Sequence, residues 1–229
     1  MPFAHYVALG DSMSSDHYPT CDVRGLDLPP AQLDPLGAAA LLHADLERQT
    51  PGVAFTNLTE DGAMIDDVVT EELARLGQDS SDPQILVTLT AGGNDLLDAL
   101  VARQPLDAAI DRIRRRYTEL VATLREELPR ATLLLTTVYD PTDGTGRLPG
   151  FEWLGQLPLQ YLERFNAHVR ETAGQSSGAA LADVHQHFLG HGAAAPPGER
   201  WYWARNLIEP NARGASEIRR VWNEALNLQ

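Results

Sequence analysis

The sequence predicts an α/β fold with a parallel sheet, because short apolar runs alternate with segments of helical period along the chain. Five runs have the length of strands, and candidate helices separate them, as crossovers between parallel strands require. The third run, Ile85–Thr90, is apolar on both faces, which is typical of a central strand. The predicted strands are His5–Leu9, Val53–Asn57, Ile85–Thr90, Thr132–Val138 and Ala179–Val184. We therefore expect five parallel strands with helices on both faces.

The helices are predicted from apolar spacing and from residues that favour helix ends. Asp34-Pro35 predicts the N-cap and first residue of a helix that runs to about Arg48. Gly77 is placed where the next helix would stop. Four further helices are predicted from apolar residues that fall on one helix face. The first two are marked by Ile65, Val68, Val69, Leu73 and Leu76, and by Leu106, Ile110, Ile113, Leu120 and Leu124. The last two are marked by Leu157, Leu162, Phe165 and Val169, within about Gln156–Thr172, and by Ala215, Ile218, Trp222 and Leu226, after an Asn211 cap.

Length, charge and cysteine content limit the class of protein. A chain of 229 residues is most simply one domain, so we expect a single domain over residues 1–229. The net charge of −14 disfavours nucleic acid or an anionic membrane as a partner. No apolar run is long enough for a membrane span, and the first strand begins close to Met1, so we expect a cytoplasmic protein. One cysteine, Cys21, excludes an internal disulfide. Nothing in the sequence predicts the oligomeric state.

Three polar motifs follow three different predicted strands. Gly10-Asp11-Ser12 comes after the first strand, Asn57 to Gly62 after the second, and Gly92-Gly93-Asn94-Asp95 after the third. Because parallel strands point the same way, these loops converge on one edge of the sheet, where open α/β folds bind ligands. A hydroxyl, a glycine N–H and an asparagine amide are the parts that acyl transfer needs, namely a nucleophile and donors to an oxyanion.

In these three motifs the chain resembles the SGNH, or GDSL, hydrolases. The resemblance covers nearly the whole chain, with the serine block at Ser12, the glycine block at Gly62 and the asparagine block at Asn94. It implies a flavodoxin-like, three-layer α/β/α fold and a carboxylic ester hydrolase of the esterase or lipase type. It also implies that Ser12 is the nucleophile and that Gly62, Asn94 and the Ser12 N–H form the oxyanion hole. The implied partner is a small-molecule ester, with no cofactor and no metal.

The last block of the family pattern is altered in this chain. The family reads Asp-x-x-His shortly before the final helix, whereas the matching positions here hold Asn206 and Glu209. Both changes fall on residues that would activate the serine. The resemblance therefore carries over the fold and the oxyanion hole but leaves the general base open.

One hypothesis is that Glu209 itself is the base, with Asn206 holding it. A carboxylate with a pKa of about 4.3 is roughly two units weaker as a base than imidazole, a handicap near 3 kcal/mol. Burial beside the aromatic run Trp201-Tyr202-Trp203 would raise the pKa of Glu209 and recover part of that handicap.

A second hypothesis takes a histidine from elsewhere as the base. His185, His187 and His191 follow the fifth strand, near the same edge of the sheet, and His17 lies just past the serine. A third hypothesis is a ligand-binding protein that keeps the pocket but no longer hydrolyses esters. The sequence leaves these three hypotheses open.

Overall fold

The computed structural model describes residues 3–24, 36–76 and 84–228. Its main sheet has five parallel strands in the order β2-β1-β3-β4-β5. These are β1 His5–Gly10, β2 Ala54–Asn57, β3 Ile85–Thr90, β4 Thr132–Thr136 and β5 Ala179–Ala182. A separate antiparallel hairpin is formed by β6 Tyr202–Trp203 and β7 Asn206–Pro210. The predicted parallel sheet is confirmed.

Helices cover both faces of the sheet and give the three-layer α/β/α architecture. They are α1 His17–Arg24, α2 Ala38–Gln49, α3 Ile65–Asp67, α4 Gly93–Val101, α5 Leu106–Glu127, α6 Gln160–Gln175, α7 Val184–Phe188 and α8 Ala212–Ala225. Helices α2 and α8 pack together in one layer, where Arg219 Nη1 and Asp45 Oδ2 form an ion pair at 2.9 Å. Helix α5 packs with α4 and α6 in the other layer. Among the described residues, no helix is long and apolar enough to cross a bilayer.

Strand β3 lies at the centre of the sheet, as its sequence predicts. It pairs with β1 on one side and β4 on the other, and all six of its residues are buried. Because both faces meet helices, an uninterrupted apolar strand is the stable choice here.

Several predicted boundaries shift by one to four residues. Strand β2 begins at Ala54, β4 ends at Thr136 and β5 ends at Ala182, while α6 begins at Gln160. Asp183 explains the early end of β5, because its side chain accepts the Gln186 N–H and caps α7. The predicted Asn211 cap is present, since its side chain accepts the Gly214 N–H at 2.8 Å. The predicted signals at Asp34-Pro35 and Gly77 lie outside the described residues.

The sequence did not predict α1, α4, α7 or the β6–β7 hairpin. Helix α4 begins within the block predicted as a loop, so Asn94 lies in the first turn of a helix. The hairpin was missed because Ala204-Arg205 lacks the Gly or Asn that marks a tight hairpin turn.

The end of β1 is fixed by the close approach of Gly10 to β3. Gly10 has φ +115°, and a Cβ atom there would lie 1.7 Å from the carbonyl oxygen of Thr90. The Asp11 N–H donates to that same oxygen at 3.1 Å. Only glycine fits this position, and from it the chain leaves the sheet toward Ser12.

We expect Gly10→Ala to lower the free energy of unfolding by about 3 kcal/mol or more, because it adds a clash to a strained φ. Urea unfolding measures this loss. Gly174→Ala is the matched control, because Gly174 is helical and its Cβ would meet nothing within 4 Å. That variant should be neutral or more stable by up to about 1 kcal/mol. Equal stability of both variants would contradict the close contact at Gly10.

Candidate active site

Ser12 lies in a tight turn directly after β1 and is 7% exposed. Asp11 organises this turn, since its carbonyl accepts the Ser14 N–H and its Oδ1 accepts the Met13 N–H, both at 3.1 Å. Burial raises the pKa of the Asp11 carboxyl to about 6. The turn thus holds a hydroxyl at the carboxyl edge of the sheet, as the sequence predicts.

Gly62, on the loop after β2, and Asn94, in the first turn of α4, are held near each other at the same edge of the sheet. Asn94 Nδ2 donates to the carbonyl of Ala63 at 2.9 Å. Because an amide nitrogen carries two hydrogens, one remains available to a ligand. Asp95 adds a second tie between the two loops, since its Oδ2 accepts the Ile65 N–H at 3.1 Å.

Backbone donors are also available at this edge. Within the described part of the chain, neither the Ser12 N–H nor the Gly62 N–H has a hydrogen-bond acceptor. Gly62 has φ +82°, and a Cβ atom there would meet nothing within 4 Å, so open space lies beside its backbone. Of these two residues, Ser12 lines the cavity described below, whereas Gly62 is exposed and does not line it. An unpaired donor beside a pocket can bind a developing negative charge.

Glu209 reaches Ser12 from β7. Its carboxyl is 7% exposed and lines the same cavity as Ser12. The pKa of Glu209 is raised to about 7, chiefly by desolvation and also by the nearby carboxylates of Asp11 and Asp61, while the adjacent Ser12 side chain opposes the rise. Among the described residues, Glu209 Oε2 is buried and has no hydrogen-bond partner. The carboxyl therefore has basicity close to that of imidazole and a free oxygen beside the serine.

Tyr139 anchors the strand that carries Glu209. Its buried phenol donates to the carbonyl of Ile208 at 2.7 Å, and its ring stacks on Phe188. Sequence reasoning did not single out Tyr139, although its position just after β4 places it on the same edge. Its side chain and Glu209 both line the cavity described below.

The structure does not bring Asn206 to Glu209. Burial alternates along β7, where Leu207 and Glu209 are buried and Asn206 and Ile208 are half-buried. The Asn206 Oδ1 atom is buried and, in the described ranges, has no partner. This geometry gives no support to the predicted orienting role of Asn206.

The three histidines after β5 have partners away from Ser12. His185 Nε2 lies 3.2 Å from Glu163 Oε1, and His187 Nε2 lies 2.7 Å from Glu217 Oε2. His191 stacks on Trp201 with ring centroids 3.6 Å apart.

His17, on α1, pairs through Nδ1 with Asp61 Oδ2 at 2.8 Å. Neither His17 nor any of the three histidines after β5 lines the cavity that contains Ser12 and Glu209. In the part of the chain that the structure describes, no three His, Cys, Asp or Glu side chains are grouped to hold a metal ion.

A cavity of about 170 Å³ extends from Ser12, Asn94 and Glu209 into the layer of α4, α5 and α6. Apolar side chains form nearly all of its wall beyond those polar residues. They include Leu96, Leu97, Leu100, Ile110, Leu157 and Leu162. The three leucines of α4 are only half-buried because they face this space. The site therefore joins a polar reaction centre to an apolar channel.

Fold and site together define a hydrolase of the three-layer α/β/α class with a serine at the carboxyl edge of its sheet. A model of the GDSL-like lipase/acylhydrolase family matches residues 8–216, and the chain belongs to that family. No curated protein sequence matches this chain.

Solved structures of similar fold cover nearly the whole chain. Phospholipase A1 from Streptomyces albidoflavus is 21% identical, with 97% of this chain and 99% of that chain covered and a TM-score of 0.64. An extracellular lipase from Streptomyces rimosus is 22% identical, with coverage of 96% and 99% and a TM-score of 0.66. Axe2, an acetylxylan esterase from Geobacillus stearothermophilus, is 15% identical, with coverage of 98% and 94% and a TM-score of 0.65.

Proposed function

We propose that this protein hydrolyses carboxylic esters through an acyl intermediate on Ser12, with Glu209 as the general base. The observation that carries the proposal is a buried carboxyl that lines the same cavity as Ser12, interacts with its side chain and has a pKa raised to about 7. At that pKa a carboxylate is as basic as an imidazole, so the weakness expected of a glutamate in this role disappears.

In the first half of the reaction, Glu209 takes the Ser12 proton as Oγ attacks the ester carbonyl carbon. The carbonyl oxygen becomes an oxyanion, which the N–H groups of Ser12 and Gly62 and the free hydrogen of Asn94 Nδ2 stabilise. The tetrahedral intermediate then expels the alcohol, which takes its proton from Glu209. The acyl group remains on Oγ.

In the second half, Glu209 removes a proton from water, and the resulting hydroxide attacks the acyl carbon. A second oxyanion forms in the same hole, and its collapse releases the carboxylic acid. The proton returns to Ser12 Oγ from Glu209, so the enzyme is regenerated without a cofactor.

The apolar cavity supports a substrate with an alkyl acyl chain. Its wall continues directly from Ser12, so a chain attached to the ester carbonyl would be buried as the acyl-enzyme forms. Two of the similar structures are named a lipase and a phospholipase A1, which fits this substrate class. Each buried CH₂ contributes roughly 0.8 kcal/mol, or about fourfold in kcat/KM while the channel is filling.

Ser12→Ala should reduce ester hydrolysis by at least about 10⁴-fold, because the nucleophile is lost. Labelling with a fluorophosphonate followed by peptide mass spectrometry should place the adduct on Ser12. Ser14→Ala is the control, since that buried hydroxyl is bonded to Thr90 Oγ1 at 2.9 Å and has no catalytic role in the proposal. Labelled and active Ser12→Ala protein would refute the serine mechanism.

Asn94→Ala should lower kcat for the same ester by about 10²–10³-fold through loss of one oxyanion donor.

The pH dependence of kcat/KM tests whether Glu209 is the general base. Only ionised Glu209 accepts a proton, so kcat/KM should rise with pH through an inflection near pH 7. Glu209→Gln should lose at least about 10²-fold and show no inflection. Separate alanine variants of His185, His187 and His191 should keep both activity and inflection. If Glu209→Gln keeps the full inflection in kcat/KM, the base is another group. If the wild-type protein binds esters without hydrolysing them, it is a ligand-binding protein.

Chain-length selectivity tests the cavity. With p-nitrophenyl esters, which share one alcohol, kcat/KM should rise from acetate toward medium chains and then level off. Leu97→Trp should fill the channel and lower the value for decanoate at least tenfold, with acetate changed by about twofold or less. Val101→Trp is the matched control, because Val101 is on the same helix but is 46% exposed. Equal effects on both esters would show that the acyl chain lies elsewhere.

A further inference from the structure

Glu72 is a buried carboxyl behind the nucleophile turn that the reaction above does not use. Its side chain is 1% exposed, although acidic residues are rarely buried without a partner. Its Oε2 accepts the Gly10 N–H at 2.7 Å. Its Oε1 is buried and, within the described residues, has no hydrogen-bond partner. Because burying a carboxyl oxygen without a hydrogen-bond partner costs free energy, Glu72 is a candidate for a specific role.

At the end of β1, the Glu72 carboxyl accepts a backbone N–H that the carbonyl of a neighbouring strand would otherwise accept. The Gly10 carbonyl accepts the Glu60 N–H at 2.9 Å, just as the Ala8 carbonyl accepts the Leu58 N–H at 3.0 Å. Strand β2 has already ended at Asn57, however, and the Gly10 N–H donates to the Glu72 carboxyl instead of a backbone carbonyl. Because an unpaired buried N–H is costly, this bond caps β1 two residues before Ser12.

A π-helical turn over Val68–Glu72 delivers this side chain to the interior. Ile65, Val68 and Glu72 are buried, whereas Val69, which the helical spacing places on the buried face, is 36% exposed. Glu72 follows Val68 by four residues and Ile65 by seven, so it lies on the same buried face, and an acid occupies a position typical of an apolar residue. π-turns of this kind are rare and occur frequently at functional sites.

The surroundings of Glu72 favour its neutral form. The pKa of Glu72 is raised to about 8, chiefly by burial and also by the carboxylates of Asp11 and Glu60, while the Gly10 N–H and, more weakly, Arg75 oppose the rise. Arg75 itself is paired with Glu60 at 2.5 Å, and both side chains are about half exposed. The carboxyl thus keeps its proton at neutral pH and accepts the Gly10 N–H without carrying a charge.

We propose that Glu72 is a positioning residue for the nucleophile: its neutral carboxyl fixes the end of β1, and loss of its proton at alkaline pH displaces the Ser12 turn and stops turnover. The inference rests on the proposed role of Ser12 and adds a residue that does not touch the substrate. Ionisation would place a charge beside Asp11, in a site where neither Glu72 Oε1 nor the Asp11 carboxyl is well solvated.

The test compares Glu72→Gln, Glu72→Leu and Glu71→Gln with the wild type. Glutamine keeps an oxygen that accepts the Gly10 N–H but cannot ionise, and leucine removes the acceptor. Glu71→Gln is the matched control, because it removes the same charge from an exposed neighbour. For each protein, kcat and KM for a p-nitrophenyl ester are measured from pH 6 to 10, and stability in urea is measured over the same range.

In the wild type we expect kcat to fall about tenfold per pH unit above pH 8. Glu72→Gln should lose this alkaline limb and keep the acid limb near pH 7, and Glu71→Gln should keep both. Glu72→Leu should lower kcat at least tenfold at pH 7.5 with KM changed little, because a displaced nucleophile slows the chemical step. An alkaline limb that persists in Glu72→Gln would overturn the proposal.

Stability provides a readout that does not depend on activity. Folded Glu72 keeps its proton to about pH 8, whereas the unfolded chain loses it near the ordinary pKa of 4.5, so this group makes wild-type stability fall as pH rises between those values. Between pH 6 and 8, Glu72→Gln should therefore gain in urea midpoint relative to the wild type. An unchanged difference would overturn the proposal even if Glu72→Leu failed to fold. A wild type with this stability profile but no hydrolysis would refute the proposed function, and with it the positioning role.

Discussion

The site depends on the close contact between the end of β1 and the end of β3. The Thr90 carbonyl occupies the space where any side chain at position 10 would lie, and it accepts the next N–H of the chain. This contact makes the chain leave the sheet at one defined residue. Ser12 therefore has a fixed position relative to Gly62, on the loop after β2, and Asn94, in the first turn of α4. The proposed oxyanion hole requires that these three residues face one carbonyl, and the contact at Gly10 fixes the first of them.

Buried carboxyl groups set the chemistry around this turn. Asp11, Glu72, Asp95 and Glu209 are all buried, and burial raises the pKa of each to between about 6 and 8. The charge of Asp11 raises the pKa of both Glu72 and Glu209, and the charge of Asp95 raises that of Asp11. With a pKa of about 8, Glu72 carries its proton at neutral pH. This crowding suits a base that must accept and return a proton within one catalytic cycle.

The sequence predicted the parallel sheet well because its strands are apolar and its helices periodic. It also predicted which loops share an edge, since that follows from strand direction alone. It did not predict the hairpin that carries Glu209, because Ala204-Arg205 has no turn signal. Nor did it predict the buried Glu72, because acidic side chains are rarely buried and a search for apolar positions passes over them. Both gaps concern long-range packing, where tertiary contacts outweigh local preference.

The β6–β7 hairpin is outside the main sheet, and the Tyr139 phenol ties it to the segment after β4 by donating to the Ile208 carbonyl at 2.7 Å. In the proposed reaction, the nucleophile and the oxyanion donors belong to the edge of the sheet, whereas the base belongs to this separate hairpin. On that proposal, the residue that accepts the proton can be exchanged while the scaffold that binds the reacting carbonyl stays intact. A carboxylate in place of an imidazole is then a local replacement, and the hairpin offers protein engineers a place to set the working pH.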